Sequence, residues 1–61
     1  LAALLPLLED ADPLVREMTV NALESLGLPE ALPALRDAME TESADYIRSA
    51  VAMAIQSLEG R

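Results

Sequence analysis

LLEDADPLVREMTVNALESLG, residues 7–27, is the stretch that decides the fold. Its centre, Asp10-Ala11-Asp12-Pro13, is a helix break with a restart built in. Asp12 suits an N-cap because its carboxylate can accept the orphan N–H groups of a first turn. Pro13 suits the first helical position, where a missing N–H costs nothing. Beyond it Val15, Met18, Ala22, Leu23 and Leu26 recur at helical spacing and predict a buried stripe. Gly27 then ends the helix as a C′ residue. One helix closes, a loop turns, and a complete second helix follows.

Working outward, Leu1, Leu4, Leu5 and Leu8 predict a preceding helix up to about Glu9 with one apolar face. Pro6 lacks an N–H and should kink that helix or set its start close by. Downstream, Leu28-Pro29-Glu30 opens a third helix, with Glu30 near the positive end of its dipole and Pro33 near its N-terminus. Leu32, Leu35 and Met39 form its expected inner face. Thr41-Glu42-Ser43-Ala44 is the next break, with Ser43 as the expected cap. A fourth helix carries Ile47, Ala50, Val51, Ala54, Ile55 and Leu58 and stops near Gly60. No segment alternates with period two, so no strand is predicted. The expected fold is all-α, with four helices.

The chain says nearly the same thing twice. Leu1, Leu4 and Leu8 map onto Leu32, Leu35 and Met39 at an offset of 31. Val15, Arg16, Ala22, Leu23, Ser25 and Leu26 map onto Ile47, Arg48, Ala54, Ile55, Ser57 and Leu58 at an offset of 32. One extra residue in the loop around 42–46 reconciles the two. Shared apolar spacing alone would be expected of any two amphipathic helices. A shared Arg directly after the first β-branched residue, and a shared Ala–aliphatic pair, are stronger signs of a repeat.

On these residues the chain resembles the HEAT repeat family, particularly the short phycobilisome-lyase-type HEAT-like repeat. The matching pattern is Asp10, Asp12, Pro13, Val15, Arg16, Ala22, Leu23, Leu26 and Gly27. The second copy is looser, with Ser43-Ala44 in place of Asp-Pro and Glu59 where Gly27 would map. The resemblance implies an α-solenoid fragment of two helical hairpins, repeat one about 1–27 and repeat two about 28–60. It implies stacking in a right-handed superhelix that serves mainly as a protein-binding scaffold. It also implies a ladder of Arg–acid contacts along the repeat turns. Each Arg lies six residues after an acid, Arg16 after Asp10 and Arg48 after Glu42. These four are read as structural pairs, each Arg reaching loop carboxylates or carbonyls of its own or the adjacent repeat.

Composition narrows the chemistry. Sixty-one residues make one domain at most and hide only about 60% of the unfolded surface. There is no Cys and no His, and all four basic residues are Arg. Disulfides, thiolate zinc, Schiff bases and His-based triads are therefore excluded within the chain. The net charge of −7 and a single aromatic, Tyr46, argue against nucleic acid. The same charge disfavours an anionic membrane surface, and no apolar run is long enough to span a bilayer. LAALLPLL lacks the basic flank of a signal peptide. The chain is expected to be cytoplasmic.

Candidate sites are weighed against plainer readings. Glu9, Asp10 and Asp12 are the densest acids, but Pro13 and Leu14 supply neither the oxygens nor the Gly turn of a calcium loop. Glu17 and Glu24, about 10 Å apart along one helix, form a solvated face rather than a hydrolase pair. Ser25 and Ser57 have no base to activate them. No catalytic residue, metal or cofactor is expected. The outward side of the second helix of each repeat is the candidate partner surface: Glu17, Asn21, Glu24, Ser49, Met53 and Gln56. The resemblance places it on a concave face. Met53 is read as a contact point or as packing for a further repeat, and Tyr46 as loop packing ahead of an interface anchor.

The expected function is a non-enzymatic protein–protein interaction or scaffold module whose acidic surface favours a basic partner. One alternative is a structural or oligomerisation fragment that self-associates through its solenoid ends. Another, from fold analogy alone, is a non-catalytic piece of a larger bilin-lyase-like enzyme. Repeat arrays generally need about three units. Two repeats with Leu1, Ala2 and Leu5 set to be exposed predict part of a longer array, or association through the ends.

Overall fold

The computed structural model describes residues 2–60; Leu1, counted above in the first apolar face, lies outside them. The described residues form three α-helices and two short 3-10 helices, with no strand among them. Helix α1 spans Pro13–Leu26, α2 spans Leu32–Thr41 and α3 spans Asp45–Glu59.

The expected first α-helix is instead a 3-10 helix, Leu5–Glu9. The reason lies in its hydrogen bonds. Leu7 N–H donates to the Leu4 carbonyl at 2.9 Å and Asp10 N–H to that of Leu7 at 3.1 Å, both three residues back. Pro6 has no N–H to give, and the break at Asp10 follows within one turn, so no run of α-type bonds can be established. The third expected helix is also modified. A 3-10 turn, Pro29–Ala31, runs directly into α2, with Pro33 within its first two residues. Three α-helices therefore stand where four were expected.

The helix ends follow local chemistry. The Asp12 carboxylate accepts from Leu14 N–H at 2.9 Å, with Pro13 in the first turn. Gly27 adopts the left-handed conformation at φ 66°, and its N–H bonds to the Leu23 and Glu24 carbonyls. Helix α3 differs from expectation. Its N-cap is Ala44, without a side-chain cap, and Ser43 plays no such part. The Glu42 carboxylate accepts the Ala44 N–H at 3.0 Å instead.

Packing gives two layers. The first 3-10 helix contacts both α1 and α2, and α3 contacts both α1 and α2, whereas α1 and α2 make little contact with each other. So α1 and α3 form one layer, and the first 3-10 helix and α2 the other. The core between them is Leu8, Val20, Leu23, Ala31, Leu35, Ala38, Ile47, Val51, Ala54 and Leu58. The Cα radius of gyration, 10.0 Å, matches the roughly 10.5 Å of a compact chain of this length.

The facing of α1 departs from the predicted stripe. Leu23 is fully buried, joined by Thr19 and Val20, which the apolar period did not select. Met18 and Leu26 are instead 62% and 52% exposed. Thr19 tolerates burial because its hydroxyl donates to the Val15 carbonyl at 2.7 Å. Leu35 and Ala38 of α2 are buried, as is Ala31 of the 3-10 turn before it, whereas Leu32 and Met39, expected on the inner face, are only half-buried.

Candidate functional site

Two features of the surface carry chemistry: an Arg–acid joint between the hairpins, and the outward side of the α1–α3 layer. The joint centres on Arg16. Its Nε donates to Glu42 Oε1 at 2.7 Å and its Nη2 to Oε2 at 3.0 Å, a bidentate fork. Nη1 donates to the Asp10 carbonyl at 2.7 Å and the Ala11 carbonyl at 3.2 Å. One guanidinium thus ties the loop before α1 to the loop before α3.

The Glu42 side chain is only 4% exposed. The Arg16 fork holds its carboxyl below the usual glutamate range, outweighing the effect of burial, and the Ala44 N–H adds to the lowering. The same fork raises the Arg16 guanidinium further above its already high value. Both groups are charged at any neutral pH.

The matched six-residue spacings do not produce matched pairs. Arg16 reaches the Asp10 backbone rather than its carboxylate, and takes its carboxylate from Glu42, 26 residues on. Arg48 does not pair with Glu42. Its nearest acid is Asp45, at 4.0 Å, and its side chain is 53% exposed. The repeat offset carries the missing signal. An Arg that serves the next repeat pairs with the acid one repeat further along, and 32 minus 6 is 26.

Of the six candidate partner residues, Asn21, Ser49, Met53 and Gln56 are exposed, and Glu17 and Glu24 are half-buried. Three lie on α1 and three on α3, the two helices of one layer. Tyr46, read as loop packing, is 56% exposed, and Met53 is 65% exposed. Sequence reasoning missed one feature, a strip of exposed apolar side chains along α1 comprising Leu14, Met18 and Leu26. A groove lined by Leu5, Pro6, Leu8, Ala34 and Ala38, among others, lies in the other layer, and none of the six lines it. Among the described residues no three acidic side chains come together, so Glu9, Asp10 and Asp12 do not converge. No helix there is long and apolar enough to cross a membrane.

A family model for HEAT repeats matches residues 1–56. No curated protein and no solved structure matches the chain. The chain belongs to the HEAT repeat family, and HEAT repeats generally mediate protein–protein interaction.

Proposed function

We propose that this HEAT-repeat chain is a non-enzymatic interaction module, and that the α1–α3 layer offers Glu17, Asn21, Glu24, Ser49, Met53 and Gln56 to a basic protein partner. The observation that carries the reading is the side-by-side packing of α1 and α3, which gathers all six residues on one layer of a HEAT protein. Glu17 and Glu24 give that layer negative charge, and Met53 gives it an apolar contact that can adapt to an irregular partner. The net charge of −7 attracts cationic protein and repels a phosphate backbone. Within the family, the Asp10-x-Asp12-Pro13 loop, the Val15-Arg16 step and the Leu26-Gly27 end favour the phycobilisome-lyase type of repeat. That assigns a repeat type and no lyase activity.

The test is calorimetric titration with a Lys/Arg-rich peptide and with a Glu/Asp-rich peptide of equal length. The basic peptide is expected to bind, more weakly as salt rises. The double variant Glu17→Gln/Glu24→Gln should reduce its affinity several-fold. Equal binding of both peptides, or no change in the double variant, overturns the acidic-face reading.

A further inference from the structure

Helices α1 and α3 make the most extensive contact in the molecule, whereas the other layer is looser. There the first 3-10 helix packs less extensively on α2 than on α1. Between it and α2 runs a groove of about 450 Å³ with a mostly apolar lining. Clefts that hold small ligands or side chains fall at about 300–1,000 Å³. Leu5, Pro6 and Glu9 wall it on one side, and Ala34, Asp37 and Thr41 on the other. The groove thus lies within the layer, between the outer elements of the two hairpins.

Its origin is local. Pro6 and the early break at Asp10 hold the first element in 3-10 form, so it offers α2 no full α-helical ridge. Helix α2 faces the groove with Ala34 and Ala38, whose methyl groups are too short to fill it. Leu8 and Ala38 are buried and floor the groove, while Leu5 and Ala34 are only half-buried. Ala34, Asp37, Ala38 and Thr41 follow the i, i+3, i+4, i+7 period. That wall is therefore one helical ridge, about 10 Å long.

Two exposed carboxylates flank the apolar floor, Glu9 from the 3-10 helix and Asp37 from α2. Neither makes an ion pair among the described residues, and Arg36, next to Asp37 in the chain, is engaged by Glu59. We propose that the groove docks a helical segment of a protein partner, with aliphatic side chains on one face and Lys or Arg flanking them. The two-turn ridge suits anchors at i and i+3 or i+4 of such a helix, the register of helix-in-groove recognition. The partner's cations meet Glu9 and Asp37. An acidic segment would be repelled there, and a purely polar one would leave the apolar floor uncovered. Exposed ion pairs add little by themselves, so the apolar anchors supply most of the affinity and the acids select the partner. The groove shares no residue with the proposed α1–α3 partner face and does not rest on that reading.

Titration of the isotope-labelled chain with three peptides of equal length, followed by amide NMR signals, tests the inference. One peptide carries Leu at helical spacing flanked by Lys, the second has Glu in place of Lys, and the third has Ser in place of Leu. The Leu/Lys peptide should bind saturably and shift amides of Leu5–Glu9 and α2, and the other two should bind much more weakly. Glu9→Gln/Asp37→Asn alters exposed side chains only and should weaken that binding about fivefold, as expected for two exposed ion pairs. Ala34→Leu fills the groove and should abolish binding while far-UV circular dichroism stays unchanged. Should Ala34→Leu disturb the fold, the double variant still decides. Four results overturn the proposal: no saturable binding, shifts confined to α1 and α3, equal binding of either control peptide, or unchanged affinity in the double variant. Glu17→Gln/Glu24→Gln should leave these shifts unaltered, so the basic-partner reading of the α1–α3 layer stands or falls separately.

Discussion

Replacing Leu23 and Leu26 with Ala, one at a time, tests the orientation of α1. Both side chains fall on the inner stripe that helical spacing predicts, yet Leu23 is 0% exposed and Leu26 is 52% exposed. Removing a fully buried Leu loses its transfer free energy and leaves a cavity, a cost of about 3–5 kcal/mol. Leu26 keeps roughly half its surface in water and leaves no closed void. Its loss should cost about 1 kcal/mol, from the usual range for burying a Leu. For a chain of this length total stability is about 3–9 kcal/mol, so the first change approaches the whole. The assay is urea unfolding followed by circular dichroism, at a concentration too low for self-association. With a slope near the low end for small proteins, about 1 kcal/mol per M, the midpoint should fall by about 3–5 M for Leu23→Ala and about 1 M for Leu26→Ala. Should Leu23→Ala fail to fold, Ile47→Val provides a milder probe of the core at about 0.5–1.5 kcal/mol. Equal losses for the two Leu variants, or a larger one at Leu26, would refute the orientation of α1.

Gly27→Ala should destabilise by about 1–2 kcal/mol, since its φ of 66° forces a Cβ against the backbone. Gly60→Ala is its control, with φ −79° and 3.4 Å between the added Cβ and the Gln56 carbonyl, and its urea midpoint should scarcely move. Asp12→Ala removes the acceptor for Leu14 N–H and should cost about 1 kcal/mol by the same measurement. Glu42 titrates below its unfolded value because Arg16 donates to it. Its contribution is therefore complete above the unfolded glutamate value of about 4.3 and is lost as pH falls through the folded one. The stability gap between the wild type and Glu42→Gln should thus be constant near neutrality and close in acid; a gap unchanged at pH 3 would contradict the pairing.

Local chemistry was legible in the sequence, and partnership was not. Asp12 and Gly27 act on their own neighbours along the chain, so their cap roles could be read directly. Pro6 raised the possibility of a kink or a late start, but the outcome depended on how few residues remain before Asp10. Helical spacing found the apolar residues of α1 without ranking them. Leu23 faces the core, whereas the Leu14, Met18 and Leu26 side chains lie exposed. Ala31 and Ala38 escaped notice because a small side chain adds little to an apolar pattern, yet both lie in the core. The six-residue Arg–acid spacing indicated that each Arg serves a loop, and it left open whose loop.

Arg16 and Arg48 show why that last choice lies beyond local reading. Each follows a β-branched residue, each lies six residues after an acid, and each sits in the first turns of a helix. One is forked onto a carboxylate and two carbonyls, and the other projects into solvent. Within the hairpins the residue three before each Arg differs, Pro13 before Arg16 and Asp45 before Arg48. Arg16 also reaches the acid on the edge of the following hairpin, Glu42. Glu42 in turn receives the Arg of the preceding hairpin, Arg16. The joint is therefore a property of two stacked hairpins, written into each as half a contact. Its energy belongs to the stacking step rather than to the hairpin, as nearest-neighbour coupling in a repeat protein requires.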